Sequence, residues 1–277
     1  MKNTVKTYIL LATMGGLIIL IGGLVGRGVG ATFGLLAALA FTGASYWFSG
    51  RIAIKASRAV PVTEAQMPEY YAVVRDLTRR AGIPMPKLYV SPSQQPNAFA
   101  TGRNPRHAAV AVTQGILSTL SWEELRGVLA HEISHVGNRD ILIGSVAAAA
   151  AMGIMWIARI GFFFGGGRRN NALVTLGLFI LAPVAAMLLQ MALTRSREFE
   201  ADRSGARLIG DGNSLASALA KIEAGVRSVP MNVQPAAAQA FIVNPLTGRK
   251  MAFSSLFRTH PPTAERIERL RSGQWRS

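Results

Sequence analysis

The sequence predicts a mainly α-helical membrane protein: four transmembrane helices joined to an α+β domain with a small sheet. Three observations predict it. Four long uncharged apolar stretches carry the hydropathy, Lys and Arg gather at their ends, and the segments between them alternate between helical and strand-like periodicity. With 277 residues, half of them apolar, and a mean hydropathy of +0.28, the chain is too apolar to be disordered. Thirty Lys+Arg against 14 Asp+Glu give a net charge of +16, so hydropathy and charge are segregated along the chain. The absence of Cys excludes disulfide scaffolds, thiolate metal sites and cysteine nucleophiles. Any metal must bind through His, Asp or Glu.

Residues 1–50 read as a transmembrane hairpin. Its two stretches, Tyr8 to Val25 and Ala31 to Phe48, each hold 18 residues without a formal charge. About 20 apolar residues cross the hydrocarbon layer as a helix. Lys2 and Lys6 ahead of the first stretch resemble a signal peptide. No small-x-small cleavage site follows, however, and the second stretch begins after a short turn from Gly26 to Gly30, so the hairpin is retained. Lys2, Lys6, Arg51, Lys55 and Arg58 flank the pair while only Arg27 lies between, which places both ends on the cytosolic side.

Residues 51–140 follow as the first part of the domain outside the apolar stretches. Pro68 opens a helix, Tyr71, Val74 and Leu77 supply its apolar stripe, and Gly82 ends it. Lys87–Val90, Asn97–Thr101 and Ala108–Thr113 read as short strands separated by turns. Ser121-Trp122-Glu123-Glu124 is a capping box, followed by helical periodicity through Leu125, Val128, Leu129, Ile133 and Val136. This helix is expected to run straight into the third apolar stretch.

Residues 141–193 hold the second transmembrane hairpin, Ile141 to Ala158 and Ala172 to Leu193. Arg168 and Arg169 in its loop run against the charge rule, which leaves a re-entrant hairpin as the alternative. Residues 194–277 form the second part of that domain. Helices are expected from Ser196 to Ile209, from Leu215 to Val226, and after His260-Pro261-Pro262-Thr263, where Ile267 and Leu270 pack inward. Arg249, Lys250, Arg258, Arg266, Arg269, Arg271 and Arg276 are expected to face anionic headgroups. Nucleic acid is not an expected partner: no aromatic-and-basic strand pattern and no recognition helix accompany the charge.

His occurs only at 107, 131, 135 and 260, and two of the four stand in His131-Glu132-Ile133-Ser134-His135. Four residues apart on a helix, both imidazoles reach one metal ion while Glu132 faces the attacking water as general base. This is the HExxH arrangement of zinc hydrolases. A third ligand is required, because catalytic zinc takes three protein ligands and keeps one position open. A histidine six residues beyond His135 would supply it in one class, but Asn138 and Ile141 stand where that class has Gly and His. A carboxylate from another helix remains. Glu198 and Asp202 share a helix face, so Glu198 can bind the metal while Asp202 accepts the free N–H of a ligand imidazole. Glu200 competes for the ligand role, and spacing favours Glu198 without deciding.

With these residues in place, the chain resembles the HtpX-type membrane zinc metalloproteases. The resemblance rests on HExxH flanked by apolar stretches, on Arg195-Ser196-Arg197-Glu198-Phe199-Glu200-Ala201-Asp202, on Asn97-Ala98-Phe99-Ala100-Thr101-Gly102, and on Thr259-His260-Pro261-Pro262-Thr263. It covers nearly the whole chain and extends to the CAAX prenyl endopeptidases. The resemblance implies a zincin-like catalytic domain and one zinc per chain, held by His131, His135 and Glu198. It also implies that Asn97, Ala98, Phe99 and Ala100 lie on an edge strand receiving extended substrate, and that His260 stabilises the oxyanion. Polypeptide substrates, a quality-control role on membrane or misfolded proteins, and a multi-pass location in the cell (inner) membrane with a cytosolic active site follow in the same way. Thr194, where relatives more often have Ser, and a short glycine-rich loop between the last two stretches are the departures. A non-catalytic membrane metal-binding scaffold would share the spans and ligands but would not need Glu132.

Overall fold

The structure is a computed structural model that describes residues 50–141, 197–228, 242 and 261–276, together with positions 12, 16, 32, 36, 40, 43, 44, 47 and 48. Most of the four apolar stretches lies outside the described residues, as do Arg249, Lys250, Arg258 and His260. Among the described residues no helix is long and apolar enough to cross a membrane. They form a mostly helical unit around a small mixed sheet.

After helical residues 50–56, strand β1 (Val60–Pro61) leads into α1 (Pro68–Ala81). Pro68 fits the first turn, where its missing N–H costs nothing, and Gly82 terminates the helix in the left-handed region at φ 64°. Tyr70, Val74 and Leu77 are wholly buried; Tyr71, expected in the apolar stripe, is only half-buried. The hydroxyls explain the exchange. Tyr70 reaches a buried carbonyl at Val110, and Tyr71 donates to Val62 O at 2.8 Å near the surface.

Strands β2 (Lys87–Ser91), β3 (Ala98–Gly102) and β4 (Ala108–Thr113) complete a sheet in the order β1-β2-β4-β3. β2 and β4 run parallel, from Lys87 opposite Ala109 to Ser91 opposite Thr113, and β3 is antiparallel to β4, pairing Ala98 with Val112. β3 is therefore an edge. Thr113 turns the chain into α2 (Gln114–Thr119) by accepting the Ile116 N–H on its side chain.

Helix α3 (Trp122–Gly137) opens with a complete capping box between Ser121 and Glu124. It does not run on as expected. Asn138 caps it, Arg139 adopts φ 60°, and helix resumes only at residue 140, so a left-handed residue separates it from the third apolar stretch. Helical residues 197–209 form α4, which ends at Gly210 with φ 76°. Asp211 then caps α5 (Asn213–Ser228) through the N–H groups of Asn213 and Ser214. Leu215, Leu219, Ile222 and Val226 of α5 are all at most 1 % exposed, each stabilising the fold by about 1.5–3 kcal/mol through burial. They share a core with α1, the inner face of the sheet and α3, whose Leu125, Val128, Leu129 and Ile133 are equally enclosed. α6 (Thr263–Arg271) closes the unit, with Leu270 buried and Ile267 packed against the core.

Two glycines set how closely the helices approach. A Cβ on Gly127 of α3 would lie 2.6 Å from Leu215 N of α5. A Cβ on Gly205 of α4 would lie 2.9 Å from His131 N of α3. Neither helix pair would tolerate a larger side chain at its crossing.

Candidate metal centre

Helix α3 delivers His131 and His135 on one face, and α4, crossing at Gly205, brings Glu198 against them. The two Nε2 atoms stand 3.2 Å apart, with the rings nearly perpendicular. Glu198 Oε1 lies 3.4 Å from His135 Nε2, and its Oε2 lies 3.7 Å from His131 Nε2. One ligand atom from each residue falls within 4.8 Å of the others. A tetrahedron with zinc–ligand arms of about 2.0–2.1 Å has edges of about 3.3 Å.

The other ring nitrogens are held from outside this triangle. His131 Nδ1 lies 2.9 Å from Asp202 Oδ1, an approach short in distance though off the hydrogen-bond axis. His135 Nδ1 lies 3.1 Å from Asp140 Oδ2. A carboxylate beside each Nδ1 favours a proton on that nitrogen once a metal is bound, which leaves Nε2 to ligate. Asp140 was not anticipated. It sits just past the left-handed Arg139, and it is that turn, rather than helical spacing, that carries it back to His135. Arg197 donates to the Asp140 carbonyl and is itself buried.

Arg266 was expected at the membrane surface and is instead 1 % exposed. Its guanidinium grips both oxygens of Asp202 at 2.7 Å, donates to Ile242 O at 2.8 Å and reaches within 3.4 Å of Glu198 Oε2. The reason is charge. Glu132, Asp140, Glu198 and Asp202 are all buried here, and an unpaired carboxylate in such a place is costly. No sequence signal marks Arg266 apart from its neighbours on α6. Arg269 does lie on the surface, over the Phe199 ring and paired with Glu265.

The electrostatics fit a divalent cation. Glu132, Asp140, Glu198 and Asp202 bring four buried carboxylates together here, and among the described residues Arg197 and Arg266 are the buried cations beside them. Burial alone would pull His135 down, but the carboxylates of Asp140 and Glu198 outweigh it and push the imidazole up to about 10. The carboxylates thus favour a positive charge where the Nε2 atoms converge. Burial raises Asp202, yet the Arg266 guanidinium and His131 overcome it and hold the carboxyl at about 2. Two imidazoles and a carboxylate suit zinc better than magnesium or calcium, which take more oxygens.

Glu132 is 5 % exposed, and its Oε2 accepts the Ala100 N–H of the edge strand at 2.8 Å. Burial pushes its carboxyl above the ordinary range against the pull of both histidines, which is the direction a general base working near neutral pH needs. On β3, Asn97 O accepts from Thr113 N, so Ala98 and Ala100 turn their backbone groups away from β4. Phe99 is buried on the sheet. Asn97 is buried as well, with its Oδ1 accepting from Ile242 N at 3.0 Å, so that side chain ties down a distant segment. Glu200, the competing ligand, is exposed. His107 is also exposed, against Asn104, and His260 lies outside the described residues.

The sequence matches the model of peptidase family M48 over residues 64–274. It is 49% identical over 277 residues to a protein named Protease HtpX homolog from Pelotomaculum thermopropionicum, covering 97% of this chain and 98% of that one. Similar relatives of the same name occur in Desulfatibacillum aliphaticivorans, at 47% identity over 98% of this chain and 89% of the relative, and in Burkholderia mallei, at 48% over 98% and 96%. Among solved structures, the crystal structure of S. mikatae Ste24p superposes with a TM-score of 0.55 at 19% identity. That match covers 97% of this chain, which spans 64% of the length of Ste24p, and it bears on the fold alone.

Proposed function

This chain belongs to peptidase family M48, and on that premise we propose that it is a membrane-bound zinc metalloendopeptidase. His131, His135 and Glu198 would hold the ion, Glu132 would act as base, and Asp202 would orient His131. The observation that carries the reading is the convergence of two Nε2 atoms and a carboxylate on one point, with a buried glutamate beside them. When bound, zinc supplies Lewis acidity that polarises a peptide carbonyl and makes water acidic near neutral pH. The rest of the chemistry belongs to the chain. Glu132 takes the proton of the attacking water and returns it to the leaving amine, with Ala100 N–H fixing its carboxylate. The backbone groups of Ala98 and the carbonyl of Ala100 face away from β4 and are offered to a substrate added as a further strand. No covalent acyl-enzyme forms.

The four apolar stretches support attachment to the cell (inner) membrane through hairpins 1–50 and 141–193, with parts 51–140 and 194–277 meeting on the cytosolic side. Membrane proteins and their misfolded cytosolic segments are the proposed substrates, and His260 beside the buried Pro261 is a proposed oxyanion contact. The deciding experiment is metal analysis with a casein or self-cleavage assay of wild type, Glu132→Gln and Glu198→Ala. Glu132→Gln should keep about one zinc per chain and lose cleavage by a factor of about 10² or more. Glu198→Ala should lose both. Full zinc retention in Glu198→Ala, or cleavage at the wild-type rate in Glu132→Gln, would refute the assignment and favour a metal-binding scaffold.

A further inference from the structure

The edge strand ends where the chain leaves the second apolar stretch. Positions 43, 44, 47 and 48 and residues 50–56 are helical, and Trp47, Phe48 and Ile52 are 59%, 47% and 52% exposed. Arg51 and Lys55 are exposed on the following turn. Aromatic rings next to basic side chains at the end of an apolar helix belong at the headgroup level of a bilayer. At that level the helix meets β3. A Cβ on Gly50 would lie 3.3 Å from Gly102 Cα, and the Arg103 guanidinium sits 4.3 Å over the Trp47 ring. Gly102 admits no larger residue, since a Cβ there would collide with His107 O and its φ is 131°. Seven residues beyond Gly50, Ser57 O accepts from Ser91 Oγ at 2.6 Å, at the opposite end of the sheet. The chain from Gly50 to Ser57 therefore passes from the Gly102 end of β3 to the Ser91 end of β2, and on the membrane-bound reading the Gly102 end of β3 is the one beside the second apolar stretch.

The distance from that end to the chemistry is short. Gly102 and Ala100 are two residues apart, about 7 Å along a strand. Ala100 N–H is the group that touches Glu132. The headgroup layer adds about 5–8 Å on each side of the hydrocarbon. An extended chain leaving the hydrocarbon crosses that layer in roughly two residues and covers the further ~7 Å to Ala100 in about two more.

We propose that substrate enters the edge strand at its Gly102 end directly from the membrane surface, so that the bonds cut lie within about ten residues of a membrane-spanning segment. The substrate class is the extended juxtamembrane tail rather than the distal part of a cytosolic loop. This rests on the reading of the chain as a membrane-bound endopeptidase, and the test separates the two. The full-length protein is reconstituted in vesicles with single-span substrates that carry one identical unstructured cleavable stretch about 5, about 15 or about 30 residues from the span. Soluble casein serves as a control.

The nearest placement should be cut at least about tenfold faster than the farthest, with cut sites mapped by mass spectrometry inside the first ten residues or so. Trp47→Ala should leave casein cleavage unchanged and reduce the near-to-far ratio. Equal rates at all three placements, with casein still cut, would overturn the juxtamembrane proposal while leaving the peptidase reading in place. Loss of cleavage of every substrate, casein included, would overturn both.

Discussion

At His135 the decisive neighbour lies five positions on. Asp140 lies against the His135 Nδ1 as Asp202 lies against that of His131, the arrangement that would orient both rings toward one ion. Asp140→Asn should therefore lower zinc affinity by about 10- to 100-fold with the fold intact, as read by chelator competition and circular dichroism. A change under about twofold would show the contact to be incidental. Asp202 makes a second prediction through pH. Its folded-state carboxyl lies at about 2 against an ordinary 3.8, so its stabilisation is fully present above about pH 4 and is lost as pH falls toward 2. The loss should be about 2 kcal/mol, and the stability gap between wild type and Asp202→Asn should narrow over that window in denaturant unfolding. Spacing of four brings His131 to His135, and Glu198 to Asp202, onto common faces, so that much of the site can be read from sequence. Asp140 cannot, because it depends on a left-handed Arg139, and Arg266 cannot, because its pairing spans 64 residues.

Between elements, the site depends on how closely α4 lies on α3. Gly205 makes that distance, and Gly205→Ala would force α4 off the His131 backbone and draw Glu198 and Asp202 away from the imidazoles. A loss of stability of about 1–3 kcal/mol is expected, together with weaker zinc binding, measured by thermal unfolding with and without added zinc. Unchanged affinity would show that the ligands tolerate a wider crossing. Strands and helices followed their local signals to within a residue or two: alternation over Lys87–Ser91, a capping box at Ser121, a glycine stop at Gly82. The misreadings came from tertiary context. The pattern through Val136 gave no hint that α3 would break before Asp140, and it named Tyr71, which packs at the core's edge, while Tyr70, whose hydroxyl reaches the Val110 carbonyl, is the one wholly buried.

Over the whole molecule, Arg266 fastens the last helix to the metal centre. It joins α6 to Asp202 on α4 and to Ile242, which Asn97 secures to the foot of the edge strand. Removing one partner of a buried ion pair typically costs about 3–5 kcal/mol, so Arg266→Ala should unfold at markedly lower denaturant and bind zinc weakly. Native-like stability in that variant would assign α6 a passive role. The arrangement also has an order in time. His131 and His135 precede residues 141–193, Glu198 follows them, and Arg266 comes later still. A ribosome that has made only the histidines has produced two of the three proposed ligands, and the Asp202–Arg266 pair forms only once residue 266 has been made. The candidate site therefore cannot assemble on a chain that stops before residue 198, since Glu198 joins the two histidines only after residues 141–193 have been made.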